Sequence, residues 1–351
     1  MNLPTPLRSY APAVIAAGER WLAELGPVVD AADPGGRVAP SSRLLCAGLG
    51  ELGAITHRAL GGEQHAEAVS RAGAMLSLLT KVDDQIIDAP DFHGGDRRDL
   101  VRRTRAFLAP TLASLRAGRP ATGEPRCALA AELGRALRDL AADEARLARA
   151  LTTIAAGWEV QVEAVRVLTS HPAQVTRAEV ARVTRSISGV WLLMIARLGE
   201  LPEGAQRAIT PIEEQGFHTF GWAIQRADAL ADLAKDLADG HLASWPGLLL
   251  WERAPDAYLD AAARGDAAAI HALLRAHDVD LECLPDAAEA AALAAALPDL
   301  GEARLLLGWI HDFLARRYLA HPLCTRGARR EAVPQPSAAR LFPGGVACSA
   351  P

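Results

Sequence analysis

Three aspartates recur at every fourth position between Phe220 and Gly240: Asp228, Asp232 and Asp236. An α-helix turns once in about 3.6 residues, so this spacing predicts that the three carboxylates lie along one helix face. Like charges four residues apart destabilise a helix by a few tenths of a kcal/mol per pair. We therefore expect a cation to offset the repulsion, most simply a divalent metal ion. Lys235, directly before Asp236, indicates that this face also handles phosphate.

A second acidic group, Asp83, Asp84 and Asp88, lies in the segment KVDDQIID. It ends a strongly apolar helix that we predict to stop at Ile87, so the acids should lie at the rim of the core. Mg²⁺ prefers oxygen ligands and uses one or two carboxylates together with water and phosphate oxygens. Two acidic helix faces would suit Mg²⁺ ions that bind a diphosphate. Taken singly, each group is equally consistent with a solvated polar helix face.

The two groups together resemble the metal-binding motifs of class I isoprenoid synthases. In terpene synthases the second motif reads Asn-Asp-x-x-Ser-x-x-Lys-Glu. Asp228 stands at the Asn position, Asp232 at the Ser, Lys235 at the Lys and Asp236 at the Glu, whereas Ala229 replaces the Asp that follows the Asn. The resemblance extends over residues from about 70 to 320 and does not include the termini.

Two further stretches are similar to terpene synthases. That family has a diphosphate-sensing arginine, then a linker and an effector residue at a helix break, and Arg185, Ser188 and Gly189 match this spacing. It also has an Arg-Tyr pair that hydrogen-bonds the diphosphate, matched by Arg317 and Tyr318. Glycine within a helix costs about 1 kcal/mol relative to alanine, so Gly189 requires a reason. The resemblance implies a helix break there, and close helix packing is the alternative.

The resemblance implies a site for about three Mg²⁺ ions, each bound largely by oxygen ligands. The implied metal ligands are Asp83, Asp84, Asp88, Asp228, Asp232 and Asp236. The implied diphosphate-binding residues are Arg185, Lys235, Arg317 and Tyr318, with Arg185, Ser188 and Gly189 as the catalytic group. Several aromatic residues could line an apolar pocket and stabilise carbocations through their π faces, although plain core packing is the alternative for each. Those chosen as pocket residues are Trp191, Phe217, Trp222 and Trp309.

The implied activity is that of a Mg²⁺-dependent terpene synthase, which ionises an acyclic C15 or C20 prenyl diphosphate, cyclises the carbocation and releases diphosphate. A head-to-head prenyltransferase of the squalene/phytoene synthase family is the first alternative, because Gln225, Asp232 and Asp236 also match its motif. Against it, that family's tyrosines before Gly189 are absent, as is its opening His-Phe signature. The first motif departs from the commonest form, since three residues separate Asp84 from Asp88. A helical prenyl-lipid binding or scaffold protein without catalysis is the second alternative.

The elements that must position these residues are helices. Alanine and leucine dominate the 351 residues, half of which are hydrophobic, and strand-like alternation is nearly absent. We predict an all-α domain over residues 1–325, a helical bundle around a central apolar cavity as in class I isoprenoid synthases. Its helices include 126–168, 177–199 and 301–320. The remaining stretch, 326–351, is rich in Pro, Gly, Ala and Ser and is predicted to be disordered.

Composition limits the other function classes. The formal net charge of −5 gives no electrostatic reason to expect nucleic acid as a partner. Five cysteines, widely spaced and without a CxxC pair, argue against a disulfide framework or a zinc site. We find no signal peptide and no apolar stretch long enough to cross a bilayer, so a cytoplasmic location is expected. A prenyl diphosphate substrate is the expected partner, and the oligomeric state is left open, with a homodimer as one option.

Overall fold

The computed structural model describes residues 10–93 and 97–319, and every regular element within them is a helix. The first eight α-helices are α1 (Tyr10–Ala32), α2 (Pro40–Gly48), α3 (Gly50–Ala59), α4 (Ala66–Ile87), α5 (Pro90–His93), α6 (Arg97–Ala117), α7 (Pro125–Leu140) and α8 (Glu144–Leu168). The next nine are α9 (Arg177–Arg197), α10 (Pro211–Ala231), α11 (Leu233–Ala238), α12 (Trp245–Arg253), α13 (Pro255–Ala263), α14 (Ala267–Ala276), α15 (Val279–Cys283), α16 (Ala287–Ala295) and α17 (Gly301–Leu319). The prediction of an all-α fold is confirmed for this part of the chain. The stretch 326–351, predicted to be disordered, lies outside the described residues.

Helix α9 is central to the packing. It contacts α8 on one side and α10 on the other, and it also touches α3, α4 and α12. Helix α17 packs along α10, while α4 packs against α3 and α7. The buried apolar side chains form a larger and a smaller cluster, and α9, α10 and α17 contribute to both. The helices that carry the predicted site residues are therefore anchored in the core.

One predicted boundary is wrong. The run 126–168, predicted as a single helix, is divided into α7 and α8. The separation falls before Asp143, whose side chain accepts a 2.8 Å hydrogen bond from the Arg146 backbone N–H and so caps α8. A capping aspartate satisfies an amide that has no partner within the helix, which favours a new start over continuation.

Capping boxes fix the beginnings of α9 and α10. At α10, the Glu213 backbone N–H donates to Thr210 Oγ1 at 3.3 Å, and the Thr210 backbone N–H donates to Glu213 Oε2 at 2.7 Å. We expect Thr210→Ala to lower the free energy of unfolding by about 1 kcal/mol, measured by urea denaturation. Thr219→Ala on the same helix is the control, because Thr219 only donates back to the Gln215 carbonyl, and its change should stay within about 0.5 kcal/mol. Equal losses in the two variants would contradict the capping role.

Helices α9 and α10 approach backbone to backbone at Gly189 and Gly221. A Cβ atom added to Gly221 would lie closer than 3.0 Å to the backbone N and Cα of Gly189. A Cβ atom on Gly189 would meet the His218 ring equally closely. Helix α9 continues without interruption through Gly189, so the predicted helix break is wrong and close packing explains the glycine.

Candidate metal centre

The two acidic groups meet in the folded chain. Asp84 and Asp88 come from the end of α4, whereas Asp228 belongs to the last turn of α10 and Asp236 to α11. Burial, followed by the charges of neighbouring carboxylates that include Asp84, raises the pKa of Asp228 to about 6. Burial and then the charges of Asp84 and Asp236, among others, raise the pKa of Asp88 well above its ordinary value. Acids that are far apart in sequence therefore repel one another across a shared space.

The helix predicted over 220–240 is bent at Asp232. Helix α10 ends at Ala231 and α11 begins at Leu233, with Asp232 at φ −106° and ψ 8° between them. The prediction of one straight helix is wrong, yet the four-residue register survives. The backbone N–H groups of Asp232 and Asp236 donate to the carbonyls of Asp228 and Asp232 at 2.9 Å each. The bend thus changes the direction of the chain while these hydrogen bonds keep the aspartates in sequence along it.

A tight turn after α11 brings a histidine to the acids. Gly240 adopts φ +88°, and its N–H donates to the Leu237 carbonyl at 3.1 Å. The His241 N–H donates to the Asp236 carbonyl at 2.8 Å, so the two bonds form a Schellman motif that requires the left-handed glycine. His241 Nε2 then lies 3.5 Å from Asp88 Oδ1. This contact joins the second acidic group to the first.

Side-chain cations surround the acids. Lys81 Nζ is 2.7 Å from Asp84 Oδ2, and Arg317 contacts both Asp232 oxygens, with Nη2 at 2.5 Å from Oδ1. Lys235, predicted to bind diphosphate, pairs with Asp239 at 2.6 Å and is half exposed. Burial would raise the pKa of Asp84, but the Lys81 ammonium outweighs this effect and lowers that pKa. Arg317 and Lys235 are therefore half-exposed cations beside the acids.

Negative charge still exceeds positive charge in this cluster. Its carboxylates are those of Asp84, Asp88, Asp228, Asp232, Asp236 and Asp239, and its cations are Lys81, Lys235 and Arg317. Three negative charges remain unbalanced when all the acids are ionised and His241 is left uncounted. Burial, followed by the Asp228 and Asp232 charges, raises the pKa of Asp236 well above its ordinary value. Oxygen donors with an excess of negative charge are the donor set that Mg²⁺ prefers.

The part of the chain that the structure describes contains no ready-made group of three or more acidic, imidazole or thiolate ligands around one point. Mg²⁺ does not need such a group, because it uses one or two carboxylates and keeps several waters. The chemical type of these donors fits Mg²⁺, and the α4 acids and the α10–α11 acids are the residues that would hold it. Two of these acids, Asp84 and Asp232, are bonded to Lys81 and Arg317 in this conformation.

Asp83 is paired with core residues instead of the cluster, so its role as a metal ligand stays a prediction. Its side chain is 2% exposed, with Arg126 Nη1 at 3.4 Å from Oδ1 and Trp158 Nε1 at 3.3 Å from Oδ2. Adjacent residues on a helix point about 100° apart, so Asp83 and Asp84 cannot share a face. Burial raises the pKa of Asp83 to about 6, although Arg126 lowers it. Asp83 is a core residue held by a buried ion pair.

Tyr318 also lies away from the predicted role, because its side chain is buried in the smaller core cluster. Its hydroxyl donates to Asp280 Oδ2 at 3.4 Å, and its ring stacks on His271 with a centroid distance of 6.0 Å. Arg317 and Tyr318 are adjacent on α17 and point in different directions. The structure therefore brings Arg317 to the acids and places Tyr318 in the core.

The three residues of the predicted catalytic group lie on α9, where they pack against α10. The Arg185 guanidinium is exposed and lies 5.6 Å from the centre of the Trp222 ring, while Ser188 Oγ donates to Gln225 Oε1 at 2.6 Å. Trp222 precedes Asp228 by six residues, which places it about 120° around the helix from that acid. Within residues 10–93 and 97–319, no ion pair links Arg185 to the acidic cluster. Its diphosphate-sensing role stays a prediction.

The four predicted pocket residues pack with other side chains. Phe217 and Trp309 are buried in the larger core cluster, against which the half-buried Trp191 packs; Trp222 packs edge-to-face on Trp245 at 4.9 Å. A cavity of about 20 Å³ lies beside Asp83 and is lined by Thr80, Asp83, Gly157, Trp158, Gln161 and Met194. It has room for roughly one water, whereas pockets for small organic ligands measure about 300–1,000 Å³. The predicted central cavity stays a prediction that requires these side chains to move.

Sequence reasoning missed three polar residues of the site: Lys81, Gln161 and His241. Gln161 Nε2 donates to Asp84 Oδ1 at 2.8 Å. Lys81 could have been found, because it precedes Asp84 by three residues and therefore shares its helix face. Gln161 carries no such local signal, because tertiary packing brings it to Asp84. The turn at Gly240 holds His241 next to Asp236, but only tertiary packing brings its ring to Asp88.

The acids predict how stability depends on pH. The pKa of Asp228 is about 6 in the folded chain and 3.8 ordinarily, so between these values the folded state binds more protons than the unfolded state. The free energy of unfolding then falls as pH rises through this window. We expect the chelator-treated protein to melt at a higher temperature at pH 5 than at pH 7.5, measured by differential scanning calorimetry. Asp228→Asn should reduce the difference, and an unchanged difference would contradict the assignment.

The chain matches no known protein-family model, and a comparison with curated proteins finds no significant match. The resemblance to class I isoprenoid synthases is therefore carried by the motifs themselves. None of the helices in the described part of the chain combines the length and apolar character of a bilayer-spanning segment.

Proposed function

We propose that the protein is a Mg²⁺-dependent class I terpene synthase that ionises an acyclic C15 or C20 prenyl diphosphate and cyclises the resulting carbocation. The observation that carries the proposal is the meeting of the α4 acids with the α10–α11 acids. His241 links the two groups, because its Nε2 lies 3.5 Å from Asp88 Oδ1 and its backbone N–H donates to the Asp236 carbonyl at 2.8 Å. A cluster with unbalanced negative charge and flanking cations suits the binding of metal ions together with a diphosphate.

Each residue has a physical task in this proposal. Asp84 and Asp88 would hold metal ions from one side, and Asp228, Asp232 and Asp236 from the other. Bound Mg²⁺ supplies Lewis-acid stabilisation of negative charge on the departing diphosphate. Lys235 and the Arg317 guanidinium would donate hydrogen bonds to the diphosphate oxygens, the arginine from its contact with Asp232. Pre-positioned donors of this kind stabilise charge that develops during the reaction.

The surrounding core would protect the carbocation. Phe217 and Phe220 on α10 and Trp309 on α17 are buried in the larger core cluster. An apolar surrounding excludes water, which favours cyclisation over capture by solvent. Because the cavity beside Asp83 is small, a prenyl chain would enter only as the core side chains rearrange, a step that we expect to accompany substrate binding.

The test is an assay of the purified protein with C10, C15 and C20 prenyl diphosphates in the presence of Mg²⁺. We expect diphosphate release and a product that keeps the carbon number of its substrate, read by mass spectrometry. A chelator should abolish both. A doubled carbon skeleton would replace the proposal with head-to-head condensation. Absence of diphosphate release with all three substrates would leave the non-catalytic alternative.

A further inference from the structure

Lys81 stands at the inner end of the acidic face of α4. Ser77, Lys81, Asp84 and Asp88 follow one another at intervals of four, three and four residues, so they share that face. The Lys81 side chain is two-thirds buried, with 32% of its surface exposed, and its ammonium lies 2.7 Å from Asp84 Oδ2. A lysine normally keeps its charged group in water, so its position between two acidic groups needs an explanation.

The ammonium acts on both acidic groups. Its charge opposes burial at Asp84, where it lowers the pKa, and it also moderates the rise in the pKa of Asp228, which burial and Asp232 cause. Burial would lower the pKa of Lys81 itself, but Asp84 outweighs this effect and raises that pKa. The only positive charge on the α4 stripe from Ser77 to Asp88 is thus paired with Asp84, a carboxylate of the first acidic group.

We propose that Lys81 occupies the position of a divalent cation in the metal-free protein, and that cation binding displaces its ammonium from Asp84. This inference rests on the proposed function. Mg²⁺ binds carboxylate oxygens at about 2.0–2.1 Å, so a bound ion and an ammonium on the same carboxylate would repel each other at close range. Lysine can leave the carboxylate because its charge is carried on a flexible four-carbon chain. The displaced ammonium then becomes available to a diphosphate oxygen.

Displacement has a thermodynamic consequence for binding. A diphosphate gives the released ammonium a new partner, so inorganic pyrophosphate should tighten cation binding, and the cation should tighten pyrophosphate binding by the same factor. An ion pair with only a structural role would show no such coupling through Lys81. Measuring this coupling therefore distinguishes a purely structural Lys81–Asp84 ion pair from one that a bound cation displaces.

The experiment measures Mn²⁺ binding by electron paramagnetic resonance, with and without inorganic pyrophosphate, and thermal unfolding in parallel. We expect Lys81→Met to bind Mn²⁺ about tenfold more tightly than the wild type in the absence of pyrophosphate, because no charge-assisted bond has to be broken. The same variant should melt at a lower temperature without metal, regain stability with Mn²⁺, and lose most of the pyrophosphate effect. Lys235→Met removes one charge from the same region and is the matched control, with a smaller gain in affinity expected.

Lys81→Arg provides a second measurement if Lys81→Met does not fold. Arginine keeps the charge and can bind a carboxylate through two bonds, so we expect weaker Mn²⁺ binding than in the wild type. Unchanged Mn²⁺ affinity in the Lys81 variants, together with a wild type that binds Mn²⁺ through Asp84, would overturn this inference alone. A wild type that binds no Mn²⁺ would overturn it together with the proposed metal centre.

Discussion

Asp84→Asn is expected to reduce Mg²⁺-dependent diphosphate release by at least about 100-fold, since even outer-sphere partners of metal ligands are worth about 10–100-fold. Asparagine keeps the shape of the side chain and can still accept the hydrogen bond from Gln161, so the change removes mainly the charge. The partner variant is Asp236→Asn on the opposite side of the cluster. It should lose a similar factor, measured as the initial rate of diphosphate release at saturating Mg²⁺.

Measurements of stability distinguish this loss of activity from a folding defect. The raised pKa of Asp236, caused first by burial and then by Asp228 and Asp232, means that its ionised form is disfavoured in the folded chain. Asp236→Asn should therefore leave the metal-free protein as stable as the wild type at pH 7.5, or more so, while activity falls. Asp260→Asn is the control, because that carboxylate is exposed and, among the described residues, its ion pair is with Arg264 at 3.8 Å, at the end of α13. Full activity in both cluster variants would show that the acids do not carry the reaction.

Gly221→Ala is expected to cost at least about 3 kcal/mol in the free energy of unfolding, the upper part of the usual range for overpacking. The added Cβ would press on the backbone of Gly189, and backbone atoms inside a helix cannot turn aside as a flexible side chain can. Helices α9 and α10 would have to separate, which would open the core around them. Urea denaturation followed by circular dichroism measures the change.

Gly301→Ala supplies the control for this prediction. Gly301 begins α17, and an added Cβ would meet nothing within 4 Å. Alanine there should leave the free energy of unfolding unchanged or raise it by up to about 1 kcal/mol, because it restricts the unfolded chain. If Gly221→Ala were as well tolerated as Gly301→Ala, the close approach of α9 and α10 would be refuted.

Periodicity predicted the helical class and the two acidic groups, because the spacing of residues determines which helix face they occupy. The same information does not determine which neighbour a face meets. Asp83 and Asp84 are both acidic and adjacent, yet Arg126 and Trp158 hold Asp83 in the core and only Asp84 reaches the cluster. Asp83 and Asp84 point in different directions around α4, and this difference determines which of them reaches the cluster. Which face of α4 turns towards the core depends on helices that are distant in sequence.

Three other differences have the same origin. Glycine within a helix suits either a break or a close contact, and only the position of α10 shows that Gly189 serves the contact. Asp232 has no residue next to it that would stop a helix, and its bend coincides with the ion pair to Arg317 from α17. Tyr318 matched a motif by its position beside Arg317, but helix geometry turns it towards Asp280. Tertiary packing decided these cases.

The contact between Gly189 and Gly221 also bears on the acidic cluster. Backbones that touch leave no side chain between the two helices to absorb a change in their spacing. Asp228 lies seven residues beyond Gly221, about 10 Å along the axis of α10. Asp236 lies past the bend, on the separate short helix α11. A change in helix spacing at the two glycines would therefore be passed along α10 to Asp228, and would reach Asp236 only through the bend at Asp232.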